Sequence, residues 1–119
     1  MFAHQTLGHP AELWSLATVR GAEPERLTRT LPAEYAALPW IRPLALRVRH
    51  PDGTRVHAHV FLPPGSDLER ADRPRATVVF IHGAGYLQNV TDSMTEYPVN
   101  LLFHSCLARL GYVVVDVDY

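Results

Sequence analysis

The chain has 119 residues, 47% of them hydrophobic and 19% charged, which is the balance of an ordinary globular protein with at most one full domain. Eleven basic residues, every one an arginine, face twelve acidic ones for a formal charge of -1; their scatter leaves no basic stripe for nucleic acid or an anionic membrane. The single cysteine, Cys106, excludes an internal disulfide and a cysteine-based zinc site, no apolar run reaches the ~18 residues of a membrane span, and MFAHQTLGHPAELW lacks the charged-then-apolar layout of a signal peptide.

In chain order, residues 11–19 (AELWSLATV) form a short apolar run, followed by Gly21, Ala22, Glu23 and Pro24 and then Arg26-Leu27-Thr28. This pattern predicts a strand, a turn and the start of a second strand. Residues 31–40 carry Pro32 and Pro39 and sustain no period, so they read as a connection, with a boundary near Trp40 dividing 1–40 from 41–119. Residues 44–50 and 55–62 alternate apolar and polar on either side of Pro51-Asp52-Gly53-Thr54, a hairpin signal. In its second arm Val56, Ala58 and Val60 are expected to point to a buried face, and Arg55, His57 and His59 to a wet one.

Residues 63–74 are polar and rich in Pro and Asp, as a surface loop is. Residues 76–81 (ATVVFI) are a continuous run without polar alternation, which predicts a strand covered on both faces in a parallel sheet. Helical spacing runs from 96 to 110, with Val99, Leu102, Phe103, Cys106, Leu107 and Leu110 on one stripe expected to pack into the core, Cys106 thereby being an inert thiol. Pro98 suits the first turn of that helix, and Gly111 its carboxyl end. Residues 112–117 (YVVVDV) are a second β-branched run, so 76–117 reads as one strand–helix–strand unit with a crossover long enough for parallel pairing.

The sharpest chemical signal is His82-Gly83-Ala84-Gly85-Tyr86 directly after the first of these strands. Small residues let backbone N–H groups approach a substrate. After such a strand in α/β-hydrolases they face the oxyanion of a tetrahedral intermediate, where one donor is worth roughly 2.7–4 kcal/mol. Two other readings compete: a plain tight turn, and a dinucleotide fingerprint. The fingerprint fails in two respects: Gln88 stands at the third glycine, and Asp116 and Asp118 fall 31 and 33 positions after Gly85 (116 minus 85, 118 minus 85) instead of about 20. His57 and His59, with His50 nearby, lack a local third ligand, so no metal is expected. None of Ser15, Ser66, Ser93 and Ser105 lies in a Gly-x-Ser-x-Gly elbow, and Ser105 beside His104 within a helix cannot form a nucleophile–base pair.

Residues 47–119 resemble the start of the catalytic domain in the prolyl oligopeptidase family, in its dipeptidyl-peptidase-IV-like and acylaminoacyl-peptidase-like branches. The resemblance rests on Arg49-His50-Pro51-Asp52-Gly53-Thr54, on Ala58 to Gly65 (AHVFLPPG), on Val78 to Gln88 (VVFIHGAGYLQ), and on Leu107 to Tyr119 (LARLGYVVVDVDY), in that order and spacing. It implies a partial α/β-hydrolase fold, a β-hairpin followed by a βαβ unit, with residues 1–40 similar to the end of a β-propeller and its linker. It further implies serine-type hydrolysis of peptide bonds in oligopeptides, without cofactor or metal. His82, Gly83 and Ala84 fall on the family's oxyanion-side loop, Ala84 replacing a frequent glycine, while all three triad residues of the family fall beyond Tyr119. The expectation is therefore a piece of a peptidase, inactive alone, with a peptide as the parent's substrate. An esterase-like relative or a non-catalytic α/β binding module is the alternative. An exposed apolar face and open strand edge are expected to leave it poorly soluble or partly molten by itself.

Overall fold

The computed structural model describes residues 1–70, 74–83, 87–94 and 98–118. They form two compact units, one of Met1–Leu38 with Asp92–Met94, the other of Pro39–Thr91 with the described part of 95–119.

In the first unit, β1 (Phe2–Thr6), β2 (His9–Ser15) and β3 (Glu25–Arg26) make an antiparallel sheet in that order. Leu7 and Gly8 turn β1 into β2, and Gly8 takes a φ of 82°, the left-handed region that glycine enters without a Cβ penalty. β1 had no signal in the spacing of its residues. β2 starts and stops earlier than 11–19, because its ladder runs out where Trp14 pairs with Phe2 and Arg26 and Ser15 pairs with Glu25. The connection expected at 31–40 contains a one-turn helix, α1 (Ala33–Ala36), entered from Pro32.

Glu12 anchors this sheet. It is 5% exposed, and its carboxylate accepts from Arg26 Nη2 at 2.8 Å, from the Thr30 N–H at 2.7 Å and from the Thr28 and Thr30 hydroxyls. The Thr28 hydroxyl also accepts from the Leu13 N–H at 2.9 Å, so it ties the segment after β3 to β2. A buried carboxylate is tolerated only when its oxygens are satisfied. Here the Thr28 hydroxyl above all, helped by Arg26 and Thr30 against the opposing effect of burial, lowers the Glu12 pKa to about 2.

The second unit is a four-stranded sheet of β4 (Leu44–Arg49), β5 (Arg55–Phe61), β6 (Thr77–Ile81) and β7 (Val113–Asp118), in the order β4-β5-β7-β6, with α2 (Pro98–Arg109) between β6 and β7. β4 and β5 are the expected hairpin, with Gly53 at a φ of 92° and the Thr54 N–H donating to Asp52 Oδ1 at 2.8 Å in the turn. β5 joins β7 antiparallel, and β6 joins β7 parallel, so the sheet is mixed. Gly111, at a φ of 99°, ends α2. Its N–H donates to the Ala108 carbonyl at 3.0 Å and the Tyr112 N–H to the Leu107 carbonyl at 3.2 Å, a Schellman closure.

Ladder partners project to the same face, so the register divides the sheet. One face carries His57, His59 and Phe61 of β5, Val114, Asp116 and Asp118 of β7, and Val78 and Phe80 of β6. The other carries Leu44, Leu46 and Val48 of β4, Val56, Ala58 and Val60 of β5, Val115 and Val117 of β7, and Val79 and Ile81 of β6. α2 packs on the first face, where the ring of His104 stands 5.1 Å from Phe61 and 5.0 Å from Phe80.

Three expectations are corrected by this arrangement. His59 is buried, although read as solvent-facing, because its face lies under α2. β6 alternates instead of being covered on both faces: Val79 and Ile81 are 58% and 61% exposed, since α2 covers only the side of Val78 and Phe80. The stripe assigned to the core points outward, with Val99, Leu102, Phe103, Cys106 and Leu110 exposed, while Leu101, His104, Ser105 and Ala108 are buried. The helix buries a mixed face: His104 lies against Phe61 and Phe80, Leu101 and Ala108 are buried with it, and the Ser105 hydroxyl accepts from the N–H of Ile41, in the segment before β4, at 3.2 Å. Cys106 is therefore exposed and not a core thiol. Of the helix expected over 96–110, residues 96 and 97 lie outside the described residues.

Apolar side chains are left exposed on both sides, Leu102, Phe103 and Leu110 on the outer side of α2 and Leu44, Val48, Val79 and Ile81 on the second sheet face. Expressed alone, the chain is expected to bind a hydrophobic dye such as ANS and to self-associate. A soluble monomer that leaves the dye dark would show that this surface is covered in solution.

Candidate active site

β6 and β7 run parallel, so both deliver their last residues to the same edge of the sheet, with Ile81 opposite Val117. In open parallel sheets, ligands bind outside the carboxyl ends of the strands. His82 and Gly83 leave β6 at that edge, and Asp118 ends β7 there. The His82 side chain is buried, with Nε2 3.2 Å from Asp118 Oδ1 and Nδ1 2.9 Å from the Gly83 carbonyl. A carbonyl oxygen only accepts, so Nδ1 carries a proton in that contact.

Gly83 is exposed, and a Cβ built on it meets no atom within 4 Å. Its N–H donates to no described residue. Gly83 thus stands at the carboxyl edge with room beside its Cα. Of the three residues singled out, Ala84 lies outside the described residues, and the structure brings the other two together through the His82 ring.

Below this edge is a buried polar cluster that the spacing of residues did not single out. Asp118 accepts from the Asn89 N–H through Oδ1 at 2.9 Å and from the Val90 N–H through Oδ2 at 3.1 Å. Asn89 Nδ2 donates to Asp116 Oδ1 at 3.3 Å, and Asp116 Oδ2 lies 3.6 Å from His104 Nε2. His104 Nδ1 donates to the Asn100 carbonyl at 2.8 Å, one turn back in α2. Burial, reinforced by the neighbouring His59, lowers the His104 pKa to about 4, and burial raises that of Asp116 despite the Asn89 amide. A signal for these groups existed: Asp116 and Asp118 interrupt an otherwise apolar strand at a two-residue step, which puts both carboxylates on one face.

Other features lie elsewhere. A cleft of about 530 Å³, lined by Leu62, Asp67, Arg70, Arg75, Thr77 and Val113, sits at the amino ends of β6 and β7, away from Gly83. Among the described residues, no group of three His, Cys, Asp or Glu is placed to hold a metal ion.

The mixed sheet with its parallel βαβ element is an α/β arrangement, and it is similar to part of a solved peptidase. The chain is similar to a Mycobacterium tuberculosis puromycin-hydrolyzing peptidase, at 30% identity and a TM-score of 0.60, over 98% of this chain. It spans only 17% of the length of that peptidase. No family model and no curated protein matches the chain.

Proposed function

We propose that this chain is the oxyanion-side part of a serine peptidase of the prolyl oligopeptidase family, which hydrolyses peptide bonds in oligopeptides. On this reading residues 39–118 open an α/β-hydrolase domain, the preceding sheet is the end of a β-propeller, and the Ser, Asp and His of the triad come from sequence after residue 119. The observation that carries it is the exposed Gly83, whose N–H donates to no described residue, just past the carboxyl end of β6. The 30% identity to a peptidase along nearly the whole chain supports it.

In such a reaction the serine oxygen bonds to the scissile carbonyl carbon, and the carbonyl oxygen takes up the negative charge as an oxyanion. A backbone donor held in place before the charge forms is worth more there than in water, because it needs no reorganisation. Collapse of the intermediate breaks the C–N bond, and the proton taken from serine leaves with the amine. This chain supplies only the donor. Its buried serine, Ser105, is held in the fold by its bond to Ile41 and sits beneath the sheet face.

Labelling with a fluorophosphonate probe tests the reading. The 119-residue chain is expected to stay unlabelled, and the full gene product containing it to be labelled and to cleave oligopeptides. Labelling of the short chain, or of neither, would sink the proposal.

A further inference from the structure

We propose that Asp118 is a positioning residue, whose carboxylate fixes His82, Asn89 and Val90 and, through His82, the donor at Gly83. The inference rests on the reading of the loop after β6 as an oxyanion site.

The carboxylate meets this segment at two places, its start and its middle. At its exit from β6, His82 Nε2 lies 3.2 Å from Oδ1, a contact that becomes an ion pair when the ring carries a proton on both nitrogens, since Nδ1 already donates to the Gly83 carbonyl. Farther along, Oδ1 accepts from the Asn89 N–H and Oδ2 from the Val90 N–H, so both oxygens are engaged by successive amides. Asp118 therefore brings residues 82 and 90 to one point on a strand that cannot shift without breaking its ladders to β5 and β6. Only a carboxylate offers two equivalent acceptor oxygens at this position: a carboxamide has one acceptor, and an alanine none. A second tie, from Asn89 Nδ2 to Asp116, directs the Asn89 side chain under the loop. Loss of the first anchor leaves the peptide plane at Gly83 free to turn its N–H away from the position the oxyanion occupies, and a displacement of about 1 Å in such a group costs on the order of 100-fold in rate.

The test uses the full gene product, with Asp118→Asn and Asp118→Ala, and with Val114→Ala as a core variant remote from the loop. Both Asp118 variants are expected to lose about 10- to 100-fold in kcat on a chromogenic oligopeptide with KM held within about twofold, because the donor acts only on the transition state. Fluorophosphonate labelling should slow by the same factor. Amide exchange at Asn89 and Val90 should quicken at least about 10-fold, while Val114→Ala loses stability and keeps kcat. Unchanged exchange at the two amides, a kcat within about threefold of the parent, or an equal kcat loss in Val114→Ala would overturn the inference. A parent protein that neither labels nor turns over defeats the serine-peptidase reading instead, and the exchange rates then still decide whether Asp118 anchors the loop. Should Asp118→Ala fail to fold, Asp118→Asn, which keeps the shape of the side chain, carries the test.

Discussion

Phe61→Ala is expected to lower the opening free energy of the β4–β7 sheet and α2 by about 3–5 kcal/mol, the usual cost of truncating a fully buried phenylalanine. Phe61 is 3% exposed on β5, opposite Val114, with its ring 5.1 Å from that of His104 and 6.5 Å from that of His59. It thus joins the central strands to the helix, beside Phe80 of β6. The cavity left by alanine cannot be filled by His104, whose Nδ1 is held by the Asn100 carbonyl. Phe61→Leu, which keeps most of the volume, should cost only about 1–1.5 kcal/mol. Native-state amide exchange at β5 and β7 in the full gene product reads both values. A loss below about 1 kcal/mol for the alanine variant would mean that the ring is not packed under α2.

Acid should loosen the same region through His104. Its folded pKa of about 4 lies below the 6.5 of the free side chain, so between these values the unfolded chain binds a proton that the folded one rejects. Stability is full above pH 6.5 and falls as the pH drops toward 4, by about 3 kcal/mol in all. Asp116, which faces His104, works in the opposite sense. Its pKa is raised above 3.8, so the folded state takes up its proton first, and part of the loss is regained just above that value. Asp52, whose pKa the Thr54 N–H lowers, contributes only below its ordinary 3.8, outside this window. Amide exchange in α2 at pH 7 and pH 4.5 should differ by about 2–3 kcal/mol in opening free energy. His104→Leu should flatten that difference. An equal slope in the leucine variant would assign the acid sensitivity to other groups.

Much of the second unit was legible because its strands are written in β-branched runs. Residues 76–81 and 112–117 became β6 and β7 with nearly the expected bounds, and Gly111 closed α2 as its position demanded. The orientation of α2 was not legible. Apolar periodicity states which side chains prefer to leave water, but which stripe faces the sheet depends on what the sheet offers. Under α2 that is His59, Phe61 and Asp116, so the helix buries His104 and Ser105 and turns Phe103 and Leu110 outward. The same difficulty hid β1, since Phe2–Thr6 has no strong alternation and is fixed by its pairing with β2. Around the carboxyl edge, the placement of Gly83 directly after a strand was legible from the run that precedes it. That of Asn89 was not, because its partners Asp116 and Asp118 are 27 and 29 residues away in sequence.

The strand order β4-β5-β7-β6 also sets a sequence of events during synthesis. The hairpin of β4 and β5 can form as soon as Phe61 is free of the ribosome, and β6 is complete at Ile81, yet neither can join the other until Val113–Asp118 emerges between them. At about 5–20 residues per second, the edge of β5 waits several seconds for its neighbour. For that interval the nascent chain presents an open β-strand and the valines of β6, which makes it a natural client for chaperones that shield extended apolar segments.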